Sequence, residues 1–222
     1  AYIKVAYPGE LFEKGNAPNI LSGIAGNIFG MKIVKNLRLE DIKFPQSILR
    51  SFKGPKYGIH GIRKMMKISS RPLVGTIVKP KLGLNTRDHA NVAYEAWKGG
   101  CDATKDDENL SSQKFNQFEE RIARTLEKAN KAEEETGEKK AYLVNVTAET
   151  KEMMKRAQLV EDLGGKFIMI DVITEGFGAL QTLREADFKL AIHAHRAMHA
   201  AFTRNEKHGI SMMTLADLVR MI

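Results

Sequence analysis

The sequence has a single cysteine and no long apolar run. Cys101, being alone, excludes an intramolecular disulfide framework and Cys-x-x-Cys metal sites, and it favours a reducing compartment. No uninterrupted apolar stretch approaches the roughly 18 residues that a membrane span requires. Charged residues at Lys4, Glu10 and Glu13 interrupt any apolar region of a signal peptide. We therefore expect a soluble, cytoplasmic protein without a membrane partner.

The sequence does contain enough apolar residues for a core, together with an excess of basic charge. Its 222 residues are 43% hydrophobic, and the formal net charge of +8 favours anionic partners such as phosphates or nucleic acid. The basic residues are spread along the chain with few aromatic residues between them, so we expect no nucleic-acid partner. An initiator Met is absent, and the helical pattern over 211–222 stops without a glycine or asparagine cap. We expect the chain to be a fragment.

From about residue 73, short apolar runs alternate with longer amphipathic stretches, which predicts βα units and a parallel sheet. The predicted strands are 73–79, 102–105, 141–146, 167–171 and 190–195. The predicted helices are 87–98, a helix that starts at Ser111 and Ser112 and ends near Gly137, 150–163 and 179–186. Five such units fit either an open doubly wound sheet or a (β/α)₈ barrel that lacks about three units.

The first part of the chain has a different pattern. Residues 20–30 form an apolar stretch with spaced glycines but contain neither GxGxxG nor GxxxxGK[ST], so close helix packing is expected there. Residues 31–44 alternate like a pair of strands, and 52–71 resembles a linker with scattered Gly and Pro. We expect the end of an α+β domain with its linker over 1–60, followed by the barrel units over 61–222.

Ionisable or amide side chains stand at the end of every predicted strand. The carboxyl ends of parallel strands build the active sites of barrels and open α/β sheets, which makes these residues candidates for a site. In chain order they are Lys79 and Lys81, Lys105 to Glu108, Asn145, Asp171, and finally His193, His195 and Arg196.

Two of these groups carry opposite charges. The three adjacent carboxylates that follow Lys105 repel each other unless a cation compensates, and hard oxygen ligands at this density suit Mg²⁺. The alternative is a solvated acidic turn that favours the dipole of the next helix.

Lys79 and Lys81 are two residues apart, so their side chains can lie on the same side of an extended segment. There, a lysine with a lowered pKa can serve as an acid or base. The alternative is two surface lysines.

His193 and His195 share a face by the two-residue period of a strand. Two such imidazoles can bind Zn²⁺, or one of them can act as a general base beside a phosphate-binding Arg196. A structural histidine is the alternative for at least one of them.

Several of these segments together resemble one family, the large subunit of ribulose-1,5-bisphosphate carboxylase/oxygenase. The segments are GTIVKPKLGL (75–84), GGCDATKDDEN (99–109) and IHAHRAMHA (192–200), and they occur in the family's order and at compatible spacing. SGIAGNIFG (22–30) and LRLEDIKFP (37–45) resemble its N-terminal domain, and the HGIS run (208–211) is most similar to archaeal members. The resemblance implies a TIM barrel, of which about five of eight units are present.

The resemblance implies a metal centre built on Lys105. This lysine would react with CO₂ to form a carbamate, and the carbamate, Asp107 and Glu108 would together bind Mg²⁺. The metal would polarise the C2 carbonyl of ribulose 1,5-bisphosphate while the carbamate takes the C3 proton. CO₂ would add at C2 and water at C3, and cleavage would give two molecules of 3-phosphoglycerate. O₂ would compete with CO₂.

The resemblance also implies roles for residues outside the metal centre. Lys79 would protonate the final carbanion, and Lys81 would support Lys79. His195 would assist the hydration and proton steps, and Arg196 would bind a phosphate. Asn27 would reach the active site of a partner subunit, which implies a homodimer or a multiple of dimers.

The chain departs from the family pattern in two respects. Ile77 and Ile170 stand where plant-type members have Thr and His. The family's flexible lysine loop and phosphate-binding glycines would lie beyond Ile222, so we expect this stretch alone to be inactive and poorly folded. Three alternatives remain: an enolase or isomerase of the same fold without CO₂ addition, a Zn²⁺ amidohydrolase-type barrel, and a basic binding module that is not an enzyme.

Overall fold

The computed structural model describes all residues from Ala1 to Ile222. Its seven strands are β1 (Arg38–Leu39), β2 (Gly75–Ile77), β3 (Ala103–Lys105), β4 (Ala141–Asn145), β5 (Phe167–Asp171), β6 (Ala191–His195) and β7 (Gly209–Ile210). Its ten α-helices are α1 (Ala17–Ala25), α2 (Gln46–Leu49), α3 (Gly58–Met66), α4 (Thr86–Lys98), α5 (Phe118–Thr136), α6 (Thr150–Asp162), α7 (Val172–Glu175), α8 (Phe177–Glu185), α9 (Ala200–Thr203) and α10 (Met212–Met221). None of these helices combines the length and apolarity needed to cross a membrane.

Strands β2 to β6 form one parallel sheet whose spatial order is the order of the chain. Neighbouring strands are joined by the crossover helices α4, α5, α6 and α8, as parallel pairing requires. A doubly wound sheet reverses its strand order at a switch point, whereas strands added one after another on the same side are the arrangement of a βα barrel. The structure therefore favours the barrel over the open doubly wound sheet. Strands β2 and β6 are the two unpaired edges.

The core lies between this sheet and its helices. Every residue of β5 is buried, including Ile168, Met169 and Ile170 at 0% exposure, as expected for a parallel strand with both faces covered. Trp97 of α4 and Ile122 of α5 pack into the same apolar cluster. The central strands hence form a rigid base for the polar residues at their carboxyl ends.

The predicted start of the second helix at Ser111 and Ser112 is wrong, because α5 begins only at Phe118. The hydroxyl of Ser112 accepts from the backbone N–H of Phe118 at 3.1 Å, so it caps the helix across an intervening turn and not directly. The end is as predicted, since Gly137 closes α5 with a left-handed φ of 71°.

Two predictions for the first part of the chain are also wrong. Of residues 31–44, only β1 is a strand, and it pairs in parallel with the distant β7 instead of forming a local pair. The predicted linker over 52–71 contains helix α3, whose Met66 packs on Ala141, Phe167 and Ala191. These three are the first residues of β4, β5 and β6, so α3 covers the amino ends of the strands.

Candidate active site

The predicted lysines and carboxylates meet at the carboxyl ends of β2 and β3. The Lys79 ammonium donates a hydrogen bond to Asp107 Oδ2, and Lys81 Nζ lies 3.9 Å from Asp107 Oδ1. Lys105 Nζ lies 3.3 Å from Glu108 Oε2 and donates to the Asp106 carbonyl at 3.0 Å. Each of the two carboxylates is thus paired with a lysine.

The third carboxylate of this run does not belong to the cluster. Side chains alternate in an extended segment, so Lys105 and Asp107 point to one side and Asp106 to the other. Asp106 is 0% exposed and accepts hydrogen bonds from the Tyr142 hydroxyl and the backbone N–H of Asn145. The interpretation of three neighbouring carboxylates as one set of cation ligands is therefore wrong for Asp106, because its oxygens are used inside the protein.

The ion pairs shift the pKa values of the cluster. The hydrogen bond to Asp107 raises the pKa of Lys79 against the effect of desolvation, so the expected lowering of the lysine pKa is wrong for Lys79. Burial alone would raise the pKa of Asp107, but Lys79 and the N–H of Asn109 outweigh it and lower this pKa. The backbone N–H of Glu108 and the Lys105 ammonium lower the pKa of Glu108. Both carboxylates are consequently ionised at neutral pH.

Asn145, at the end of β4, holds the loop that carries Asp107 and Glu108. Its side-chain amide lies within hydrogen-bond distance of the carbonyls of Asp107 at 3.3 Å, Glu108 at 2.9 Å and Leu110 at 3.1 Å. Its side-chain oxygen accepts from the N–H of Thr147 at 3.1 Å. The polar residue predicted at this strand end therefore holds the backbone of the loop in place, and it is buried at 1% exposure.

A histidine–carboxylate pair joins the ends of β5 and β6. His195 Nδ1 lies 2.7 Å from Asp171 Oδ1 and 3.3 Å from the N–H of Ala197. The contact with the carboxylate is shorter and charge-assisted, so we assign the Nδ1 proton to the Asp171 bond, which leaves Nε2 free to accept a proton. Burial raises the pKa of Asp171, although the hydrogen bond from His195 opposes this rise.

The histidine pair and the lysine cluster lie close enough for their charges to interact. The charges of Glu108 and Lys105 act on the pKa of Asp171. Desolvation by the surrounding protein, with His195 and Lys105 nearby, lowers the pKa of His193, and the rings of His193 and His195 lie 6.3 Å apart. Asp171 was predicted only as a polar strand end, and the strand pattern contains no signal that pairs it with His195.

Two predicted residues make no contact with this cluster. Arg196 is exposed just beyond β6 and forms no ion pair with any residue of the chain. Asn27 is exposed at the start of a 3₁₀ turn, Ile28–Gly30, and its side chain makes no hydrogen bond. The role expected for Asn27 lies in a partner subunit, so one chain does not test it.

Parallel strands in chain order, with lysine, carboxylate and imidazole groups at their carboxyl ends, define the chain as a segment of a βα-barrel protein. Residues 58–222 match the family model described as ribulose bisphosphate carboxylase large chain, catalytic domain. Residues 1–48 match the model of the N-terminal domain of the same large chain. The chain belongs to the ribulose bisphosphate carboxylase large chain family.

Two similar proteins come from archaea. The protein named ribulose bisphosphate carboxylase from Methanocaldococcus jannaschii is 59% identical over 220 residues, which are 99% of this chain and 52% of that protein. The protein of the same name from Methanosarcina mazei is 57% identical over 223 residues, with the same two coverages. The chain therefore spans about half the length of the curated relatives it matches.

Solved structures agree in fold. The octameric Rubisco of Pyrococcus horikoshii OT3 superposes with a TM-score of 0.95 at 51% identity, covering 97% of this chain and 51% of that one. The dimeric archaeal Rubisco of Hyperthermus butylicus gives a TM-score of 0.95 at 54% identity, with the same two coverages. The prediction of a partial TIM barrel preceded by the end of an N-terminal domain is confirmed.

Proposed function

We propose that this chain forms part of a ribulose-bisphosphate carboxylase. The enzyme would add CO₂ and water to ribulose 1,5-bisphosphate and cleave the product into two molecules of 3-phosphoglycerate, with O₂ competing for the same sugar. The observation that carries the proposal is the double pairing at the carboxyl ends of β2 and β3, where Lys79 pairs with Asp107 and Lys105 with Glu108. The family and the names of its archaeal relatives support it.

The residues present fit Mg²⁺ on one condition. No group of three or more histidine, cysteine or acidic side chains in the chain is arranged to hold a metal ion, and Asp107 and Glu108 supply only two carboxylates. Lys105 Nζ lies 3.3 Å from Glu108, so a carbamate formed there from CO₂ would replace a competing cation with an additional oxygen ligand. Asp107, Glu108 and the Lys105 carbamate would then hold the ion. Bound there, Mg²⁺ would supply Lewis-acid polarisation of the sugar's carbonyl oxygen.

The remaining side chains hold protons and charges around this centre. The raised pKa of Lys79 keeps its ammonium protonated at neutral pH, as a donor to a carbanion must be. His195 presents Nε2 as a proton acceptor because Asp171 holds Nδ1. Lys81, and Arg196 with its exposed guanidinium, offer positive charge to the phosphates of the substrate.

We also propose a homodimer or a multiple of dimers. Of the two solved relatives, the Pyrococcus horikoshii Rubisco is octameric and the Hyperthermus butylicus Rubisco is dimeric. Asn27 is exposed and its side chain makes no hydrogen bond within its own chain, which leaves its amide available to the site of a second subunit.

The test is fixation of labelled bicarbonate with ribulose bisphosphate and Mg²⁺ by the protein extended to its natural ends. We expect label in phosphoglycerate from the wild type and none from Lys105→Ala. Lys64→Ala is the matched control, because Lys64 is exposed on α3 at the opposite end of the strands and forms no ion pair. A folded, Mg²⁺-loaded dimer that fixes no label would refute the carboxylase and favour the enolase or isomerase alternative.

The Zn²⁺ amidohydrolase-type alternative is the weaker one. It needs His193 and His195 as a ligand pair, whereas the matched family and relatives are carboxylases. Stoichiometric Zn²⁺ in the purified protein would favour it again.

A further inference from the structure

A buried polar cluster lies directly behind the proposed metal ligands. Asp106, between Lys105 and Asp107 in the chain, is surrounded by His89 of α4, Arg121 of α5 and Tyr142 of β4. Their exposures are 0% for Asp106 and Arg121, 1% for His89 and 3% for Tyr142. Four polar side chains this deeply buried in one place are costly unless they satisfy each other.

The contacts of Asp106 use both of its oxygens. Oδ1 accepts from the Tyr142 hydroxyl at 2.5 Å and lies 3.1 Å from His89 Nε2. Oδ2 accepts from the backbone N–H of Asn145 at 3.0 Å and lies 3.6 Å from Arg121 Nη2. Burial by itself would raise the pKa of Asp106, but Arg121 and His89 outweigh it and lower this pKa, so the group is a carboxylate. Its side chain is hence anchored to β4 and to both helices.

The same cluster reaches the far end of the ligand loop. Arg121 donates to the carbonyl of Ser111 at 2.9 Å and to that of Asn116 at 3.0 Å. Asp106 therefore fixes the start of the loop, and Arg121 ties that point to the residues where the loop returns to α5. Asp107 and Glu108 lie between these two anchors.

We propose that Asp106, held by Tyr142, His89 and Arg121, is a positioning residue that presets the geometry of Lys105, Asp107 and Glu108 for a divalent cation. The proposal rests on the function proposed above. Asp106 would contact neither the cation nor the substrate, since both of its oxygens are occupied by partners on β4, α4 and α5. Partners of metal ligands typically change metal affinity by about 10- to 100-fold when they are replaced.

The test measures Mn²⁺ binding in the presence of bicarbonate, by electron paramagnetic resonance, on the protein extended to its natural ends. Tyr142→Phe removes one hydroxyl that donates to Asp106 and leaves every charge in place. We expect at least a twofold loss of Mn²⁺ affinity and an altered spectrum of the bound ion. Asp106→Asn removes the charge, and we expect a loss of about 10-fold or more.

Tyr94→Phe is the matched control. Tyr94 is also buried, at 8% exposure, and its hydroxyl donates to a carboxylate, Glu135, at 2.6 Å, but this pair lies on α4 and α5 away from the ligand loop. We expect wild-type affinity and spectrum from it. If Asp106→Asn does not fold, the comparison of Tyr142→Phe with Tyr94→Phe decides.

Wild-type Mn²⁺ affinity and spectrum in Tyr142→Phe would overturn the proposal, as would wild-type affinity in a folded Asp106→Asn. A wild-type protein that binds no Mn²⁺ with bicarbonate would instead overturn the proposed function, and the positioning role with it. The two failures are thus distinguishable.

Discussion

Replacing Asn145 by alanine removes the amide that holds the loop after β3. The amide has two hydrogens for three nearby carbonyls, those of Asp107, Glu108 and Leu110, so two hydrogen bonds are lost at any moment. A buried carbonyl left without a partner costs about 1–3 kcal/mol, so two of them cost about 2–6 kcal/mol. The cost falls on the local opening of the loop, since β4 itself keeps its backbone pairing.

Hydrogen exchange of the loop amides measures this cost directly. The N–H of Leu110 donates to the carbonyl of Asp107 at 2.9 Å, and it exchanges when the loop opens. A loss of about 2–6 kcal/mol corresponds to roughly 30- to 20,000-fold faster exchange. Asn130→Ala is the control, because Asn130 is exposed on α5 and should leave this amide unchanged. Acceleration below about threefold in Asn145→Ala would refute the reasoning.

Three further predictions concern the histidine pair, the ion pair between exposed Arg71 and buried Asp102, and the sheet edges. Asp171→Asn should lower kcat by about 100-fold or more with little change in KM, because His195 loses the partner that fixes its Nδ1 proton. A loss of substrate affinity as large as the loss of kcat would contradict this prediction. The pKa of Asp102 is lowered by Arg71, so its stabilising effect is present above pH 3.8 and lost as pH falls through the folded-state pKa. The melting temperature of Asp102→Asn should accordingly be lower than that of the wild type at pH 7, and the difference should shrink below pH 3.8. An equal difference in melting temperature at pH 7 and pH 2 would exclude this ion-pair explanation. The 222-residue chain alone should fix no CO₂ and should self-associate through the unpaired edges β2 and β6, and an active monomer in gel filtration would disprove this.

The central strands β4 and β5 were predictable because each is a largely apolar run bounded by turn residues. The predicted strand over 167–171 matches β5 at both ends, and 141–146 exceeds β4 by one residue. The grouping of the residues at the strand ends was also predictable, because parallel strands bring their carboxyl ends to the same edge of a sheet.

The remaining features depend on contacts between distant parts of the chain. Arg38 pairs with Gly209, and no local alternation indicates such a partner. The side of Asp106 could have been predicted from strand alternation, because its neighbours Lys105 and Asp107 fall on the other side. The partners of Asp106 could not be predicted from the sequence, because His89 and Arg121 come from separate helices and only packing brings them together.

The position of helix α3 separates two kinds of mutational sensitivity along the barrel axis. At one end, Met66 packs on the small or apolar first residues Ala141, Phe167 and Ala191; at the other end, the same strands finish in polar side chains. In a saturation mutagenesis scan, enlarging Ala141 or Ala191 would lower cellular abundance through misfit at the covered end. Substitution of Asp171 would instead spare abundance and abolish growth that depends on carbon fixation. At the first residue of each strand, substitutions would lower cellular abundance. At the last residue, they would lower growth and leave abundance unchanged.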